Sequence, residues 1–201
     1  MKYPETILNL IECFKKYPSI GEKTAERLAL STLDLPDDVI KLFYKSFYDV
    51  KDKIKKCKKC NNLTEDEICD ICKDYNRDND ILCIVENAKY INLMEKNNIF
   101  KGKYFVLNSL ISPSKGLDTS TIEIDRIIQI INDNNVKEVI MALKPSIEGE
   151  TTALYISKLL EDYDVVVSRI ARGIPNGAEI DYVDSLTLEM AIENRNIISD
   201  K

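Results

Sequence analysis

The chain of 201 residues contains no histidine and no tryptophan. Without histidine it lacks both the side chain that most often serves as a general base near neutral pH and the most common metal ligand. Any metal must be held by thiolates or carboxylates, and a serine or cysteine nucleophile would have no imidazole partner. No Gly-x-x-x-x-Gly-Lys-Ser/Thr segment occurs, which argues against a nucleotide-driven motor. No apolar run approaches the ~18 residues needed to cross a bilayer, and Met1 to Leu10, with Glu5 inside, reads as the start of an amphipathic helix. The expectation is a cytoplasmic protein with no membrane partner. Internal repeats and low-complexity tracts are absent too.

An apolar content of 44% is that of a packed globule, and the length suits one large domain or two or three small ones. The formal charge of -6 by itself argues against a nucleic-acid partner. Its distribution argues the other way: residues 1–60 carry 13 Lys or Arg against 9 Asp or Glu, and the remainder carries 15 against 25. A basic working end on an acidic body is one reading of this asymmetry. A lysine-rich, solvated helix face is the other.

Ile7, Leu10, Ile11 and Phe14 follow the spacing of one buried helical stripe, with Pro4 near its start and Pro18 beyond its end. In Tyr17-Pro18-Ser19-Ile20-Gly21-Glu22-Lys23, Gly21 is expected to take backbone angles that other residues avoid, turning the chain into a second helix. There Ala25, Leu28 and Ala29 face inward, while Lys23 and Arg27, four apart, share the outer face. A third helix is predicted after Leu35-Pro36-Asp37-Asp38, through Ile40, Phe43, Phe47 and Val50 towards Ile54. It ends among Lys51, Lys53, Lys55, Lys56, Lys58 and Lys59.

Beyond residue 80, Ile81 to Val85, Tyr104 to Leu107, Val139 to Leu143 and Val165 to Ile170 read as strands. Ile124 to Ile131, Thr152 to Leu160 and Ser185 to Ile192 read as helices between and after them. This alternation predicts an α/β domain with a mainly parallel sheet covered on both sides. Asn108 to Ser120 is the most obvious long loop, and it follows a strand end, where ligands of open sheets tend to sit.

Cys57-x-x-Cys60, eight further residues, then Cys69-x-x-Cys72 gives two knuckles, each able to turn two sulfurs towards one tetrahedral centre. Four thiolates suit zinc and leave no open coordination position, so the predicted ion is structural. An iron centre and a redox pair are the alternatives; disulfides do not suit a cytoplasmic chain. Cys13 and Cys83 are expected to be buried small hydrophobes.

The helix, glycine-containing hairpin and second helix would direct backbone N–H groups and a positive dipole end outward, a cradle for a phosphate, with Gly21, Lys23 and Arg27 as the candidate DNA-binding residues. Binding through phosphates is strong at low salt and largely blind to sequence. The alternative is an ordinary helical turn. The Gly173-Ile174-Pro175-Asn176-Gly177 segment reads as a strand or subunit contact, or else as a plain surface turn.

In this order, over essentially the whole chain, these residues resemble the RecR family of bacterial recombination mediators. The resemblance rests on Pro18 to Leu28, on the four cysteines with Asn62-Leu63-Thr64 between them and Arg77 after, and on Ile84-Val85-Glu86, Ser112-Pro113 and Gly116. It continues through Pro145 to Tyr155, Arg169 to Pro175, Gly177, Tyr182 and Leu186-Thr187-Leu188. It implies a helix-hairpin-helix DNA-binding domain (residues 1–54), a four-cysteine zinc finger (55–78), a Toprim-type domain (79–168) and a C-terminal oligomerisation or packing segment (169–201). It further implies a non-enzymatic, nucleoid-associated clamp that forms a dimer or tetramer ring. Such a clamp works with RecO and RecF to help load RecA at single-stranded gaps, on single- or double-stranded DNA without sequence preference. Asn108-Ser109, commonly a Gly pair in that family, and Lys144, commonly Asn, depart from its pattern.

A magnesium-dependent Toprim enzyme acting on phosphodiesters is the competing expectation. Such enzymes hold the ion on a strand-end Glu and closely spaced carboxylates, usually Asp-x-Asp. Glu86, Glu148 and Glu150 are present but Asp-x-Asp is not. These three are therefore expected to face a protein partner such as RecO, with weak magnesium binding at most.

Overall fold

Short apolar runs alternating with helical patterns from residue 80 onward predict a sheet, and the computed structural model, which describes residues 3–198, shows how those runs pair. The chain divides into two compact units, Met1–Ile54 and Lys55–Lys201.

In the first unit, helix α1 (Glu5–Lys15) starts from Pro4, whose carbonyl accepts the amides of Ile7 and Leu8 at 3.0 and 3.2 Å. Helix α2 (Glu22–Ser31) packs on it through small residues: Ala25 and Ala29 are buried against Ile11, flanked by Ile7, Leu10, Phe14 and Ile20. Alanine at these two positions lets the helices approach closely. Helix α3 (Asp37–Lys53) has Asp37 and Asp38 in its first turn and Lys51 and Lys53 in its last, both matched to the helix dipole. Its apolar stripe is present as expected, yet none of its residues is buried, and Phe47 is 55% exposed. Cys13 corrects an expectation: it lies on the solvent side of α1, one position away from the buried stripe that would have covered it.

The second unit opens with an antiparallel pair, β1 (Lys55–Lys56) and β2 (Leu63–Thr64), and the short helix α4 (Asp70–Lys73). Then strands and helices alternate: β3 (Ile81–Val85), α5 (Ala88–Lys96), β4 (Lys103–Val106), α6 (Ile124–Asn134), β5 (Glu138–Ala142), α7 (Ile147–Leu159), β6 (Val166–Arg169) and α8 (Ser185–Glu193). The four strands β3 to β6 form one parallel sheet in the order β4-β3-β5-β6. The chain adds β4 on one side of β3 and then returns to add β5 on the other, so the order reverses between β3 and β5, where open sheets present ligand-facing loops.

Alternate residues of each strand point to opposite faces. Leu82, Ile84, Phe105, Val139 and Met141 pack with Ile127 and Ile131 of α6 and with Ile156 and Leu160 on the α7 side. Cys83, Val85, Tyr104 and Val106 pack with Ile91 of α5. Fully burying a side chain such as Ile127 or Ile156 contributes about 1.5–3 kcal/mol, so these two layers dominate the unit's stability. Helix α5 went unrecognised in the sequence.

The segment after β4 is less of a loop than its composition suggests. Leu107, Leu110, Ile111 and Ile122 join the larger core. The Ile111 amide donates to the buried Thr152 hydroxyl at 2.9 Å, which donates to the Glu148 carbonyl at 2.7 Å. Asn108 stands in the left-handed region at φ 66°, so it keeps the conformation a glycine would supply.

Candidate metal centre and nucleic-acid interface

The β1/β2 pair brings Cys57 and Cys60 together in a tight knuckle. The Cys57 amide donates to the Asn62 carbonyl at 2.7 Å and the Asn61 amide donates to the Cys57 carbonyl at 3.0 Å, while Asn61 takes φ 62° to close the turn. Cys69 stands immediately before α4 and Cys72 within it, and the Cys69 amide donates to the Cys57 sulfur at 3.3 Å. All four sulfurs lie within 4.8 Å of one another, and Cys60 and Cys69 are 3.6 Å apart. A tetrahedron with metal–sulfur bonds of ~2.3 Å has sulfur–sulfur edges of ~3.8 Å, so the donor set fits a zinc ion and leaves no position for water or substrate.

Burial makes the cluster dependent on a cation. Cys57, Cys60 and Cys69 are buried, and crowded thiols cannot all ionise alone. Cys69, receiving hydrogen bonds from Cys60 and then Cys72, is held down at about 2. Cys60 is pushed far up, first by its bond to Cys69. Cys72 is drawn down by Cys60 but raised by Cys69 and burial, ending at about 12. One thiolate is therefore stabilised by its protonated neighbours, and four coexist only around a divalent ion. Cys83, by contrast, sits apart in β3, where burial raises it to about 12.

The metal module is fastened to the sheet by side chains that sequence reading passed over. The Val106 amide donates to the Cys60 carbonyl at 2.9 Å. Asn61, 3% exposed, donates through Nδ2 to the Val106 carbonyl at 3.1 Å and to Glu123 Oε1 at 2.9 Å. Arg126 of α6 donates to Asn61 Oδ1 and to the Lys58 carbonyl, both at 2.6 Å, pairs with Glu123 and lies over the Phe105 ring at 5.5 Å. Lys103, although on β4, is buried and donates to the Ile71 and Asp74 carbonyls at 3.1 and 2.6 Å. The left-handed position after a Cys-x-x-Cys pair is a signal that could have singled out Asn61; nothing in sequence points to Arg126, 65 residues away.

The N-terminal hairpin forms with one correction. Gly21, at φ -88°, ψ 175°, is ordinary extended backbone, and Ser19, at φ 67°, takes the left-handed turn instead. A Cβ at Gly21 would meet nothing within 4 Å. Lys23 and Arg27 are both exposed on α2, and neither forms an ion pair with another described residue. Lys15, held up chiefly by hydrogen bonds from its ammonium to Glu12 and then Glu22, offsets the carboxylate charge beside the start of α2.

The three candidate carboxylates are not gathered as the cysteines are. Glu86, just past β3, pairs with Lys144 at 3.5 Å across the switch point. Glu150 pairs with Arg169 at 2.9 Å and with Arg172. Glu148 is half-buried in the first turn of α7, its carboxyl lowered by a backbone N–H and then by Ser146. Among the described residues, the four cysteines form the metal-ligand cluster and these glutamates join none. The expected weak magnesium site thus has no support in the geometry: two of its three carboxylates already hold protein cations.

Residues 54–74 match the family described as the RecR four-cysteine zinc finger domain; residues 80–171 match the Toprim domain, and residues 173–196 match RecR, C-terminal. The chain is 43% identical over 195 residues to the recombination protein RecR of Staphylococcus haemolyticus (strain JCSC1435) and, to the same degree, to that of Staphylococcus saprophyticus subsp. saprophyticus. It is 42% identical to that of Staphylococcus aureus (strain Newman). Each alignment covers 97% of this chain and 98% of the relative.

Proposed function

We propose that this chain, which belongs to the RecR family of recombination proteins, acts in recombinational DNA repair as a non-enzymatic DNA-binding clamp. The observation that carries the reading is likeness over 97% of the chain to proteins named for recombination, with a four-cysteine zinc finger, a Toprim domain and a RecR C-terminal segment in succession. The zinc site is structural, held by Cys57, Cys60, Cys69 and Cys72. Residues 1–54 supply the DNA-binding domain, 55–78 the zinc finger, 79–168 the Toprim domain and 169–201 the oligomerisation segment. The working form is a dimer or tetramer ring at the nucleoid, with RecO and RecF as partners and RecA loading at single-stranded gaps as the outcome.

DNA contact is assigned to Gly21, Lys23 and Arg27. Neither the backbone angles nor the packing of this chain requires glycine at position 21, so the bare backbone at the start of α2 serves an outside partner, a phosphate drawn to the helix N-terminus. Lys23 and Arg27 add two uncommitted charges beside it. The Toprim carboxylates serve a protein partner, because the half-buried Glu148 carries no ion pair with another described residue, while Glu86 and Glu150 carry cations of their own. That neutralisation is also what sets the clamp above a magnesium-dependent phosphodiester enzyme.

The test is a mobility-shift titration of wild type and Lys23→Ala/Arg27→Ala across a salt series. Each lost phosphate contact lowers the slope of log affinity against log salt by ~1, so the double variant should bind more weakly with a slope smaller by ~2. Unchanged affinity and slope would remove the hairpin from the DNA site, and metal-dependent nicking, relaxation or priming by the pure protein would overturn the clamp.

A further inference from the structure

The assigned zinc ligands belong to one module, yet the groups that hold the first knuckle in shape come from elsewhere in the chain. Cys57 to Cys60 must keep two sulfurs converging while the backbone between them turns through Lys58 and Lys59. The Arg126 guanidinium from the first turn of α6 reaches this turn from outside: one nitrogen bonds the Lys58 carbonyl at 2.6 Å and approaches the Cys57 carbonyl at 3.4 Å. Its other terminal nitrogen bonds Asn61 Oδ1 at 2.6 Å, and Asn61 is the residue whose positive φ ends the turn.

Nothing in this arrangement is left loose. Asn61 spends its amide hydrogens on the Val106 carbonyl and on Glu123, Glu123 pairs in turn with Arg126, and the guanidinium rests on the Phe105 ring. Among the described residues, no buried side-chain nitrogen or oxygen lacks a partner. The planar fork of arginine fits a pair of acceptors that a lysine ammonium, a point charge, does not hold in fixed directions. Outer partners of this kind fix the orientation of metal ligands and commonly change metal retention by ~10- to 100-fold when lost.

We infer that Arg126, acting through Asn61 and the Lys58 carbonyl, is a positioning residue for the metal site, so that zinc retention and the order of the β4 edge and the start of α6 are linked. The inference rests on the zinc reading above. Linkage is reciprocal: whatever the α6 side contributes to holding zinc, zinc contributes to holding the α6 side. Arg126 binds no metal itself; it holds the knuckle in the shape that the metal needs.

The experiment uses the full chain loaded with Zn2+ or, for spectroscopy, Co2+. Zinc transfer to an excess of a chromogenic chelator is timed for wild type, Arg126→Ala, Arg126→Lys and the control Lys137→Ala, which breaks an exposed ion pair far along the sequence. Arg126→Ala should release zinc ~10- to 100-fold faster, Arg126→Lys should restore only part of the loss, and Lys137→Ala should match wild type. The Co2+ absorption bands should broaden or shift in Arg126→Ala, and the melting-temperature gap between metal-loaded and metal-free protein should shrink, which a purely structural residue would leave alone. In wild type, zinc removal should speed hydrogen exchange at the Val106 amide. If Arg126→Ala does not fold, Glu123→Gln carries the same comparison, with release several-fold faster than wild type. A folded variant that releases zinc at the wild-type rate with an unchanged Co2+ spectrum overturns the inference alone. A wild-type chain that takes up neither metal overturns the zinc reading with it.

Discussion

Glu95 receives both ends of the Arg77 guanidinium, at 2.8 and 2.7 Å, and also the hydroxyl of Tyr104 at 2.7 Å, tying the stretch after α4 to α5 and β4 at once. Arg77 further donates to the Gly102 and Phe100 carbonyls, so its five donors are largely spent within the protein.

This pair predicts a specific acid sensitivity. The Arg77 hydrogen bonds hold the Glu95 carboxyl below its ordinary value of 4.5. A lowered folded-state value means that the contribution is present above about pH 4.5 and is lost as pH falls through the folded value. Glu95→Gln should cost about 1–2 kcal/mol at pH 7, discounted because Glu95 is partly exposed. The stability gap between variant and wild type should narrow as pH falls below about 4.5. Denaturant melts at pH 7, 5, 4 and 3 measure it, and a gap independent of pH would refute the assignment.

Gly149 and Gly21 should behave oppositely on substitution. A methyl group at Gly149, in the first turn of α7, would run into the Lys144 carbonyl oxygen, and both are backbone with little freedom to move. Gly149→Ala should destabilise the protein by about 3 kcal/mol. At Gly21 a methyl meets open space, so Gly21→Ala should stay within ~1 kcal/mol of wild type while weakening DNA binding. Thermal melts of both variants decide the first point and mobility shifts the second.

Thiol labelling should separate the six cysteines. In zinc-loaded protein, Cys13 should alkylate first because it is exposed. Cys83 should stay unmodified until the sheet unfolds, since burial both shields it and suppresses its thiolate. Chelation should then open Cys57, Cys60, Cys69 and Cys72 to the reagent. Peptide mass mapping reads the order, and early modification of Cys83 would contradict the core placement.

Cys57→Ser should yield protein with far less than one zinc per chain and a loosened metal module, without abolishing any catalytic step. The residues around the four cysteines form only two-residue strands and a four-residue helix, too little to hold together without metal. Metal analysis alongside near-ultraviolet circular dichroism provides the check.

What was legible in the sequence depended on the range of the interaction. The stripe of α1 and the two Cys-x-x-Cys pairs are local patterns, and both reappear as a packed helix and a convergent sulfur cluster. Helix α5 was missed because Lys89, Asn92 and Glu95 dilute its apolar residues; its place is set by Ile91 packing on Val85, Tyr104 and Val106, a tertiary effect. Gly21 attracted the turn assignment because glycine tolerates positive φ, whereas Ser19 carries it. The charges of Glu86 and Glu150 could be counted from sequence, but not that Lys144, Arg169 and Arg172 would sit on them.

The fastening of the metal module has a consequence for solubility. Strand β4 lies at the end of the sheet, and the outer edge of such a strand is a template on which another chain can pair. Here both ends of that edge are taken: the Val106 amide bonds Cys60, the Val106 carbonyl bonds Asn61, and the Gly102 carbonyl just before the strand bonds Arg77. The cysteine knuckle therefore acts as a stopper on the sheet, and chain that loses its metal is left with an open strand edge on which aggregates can grow.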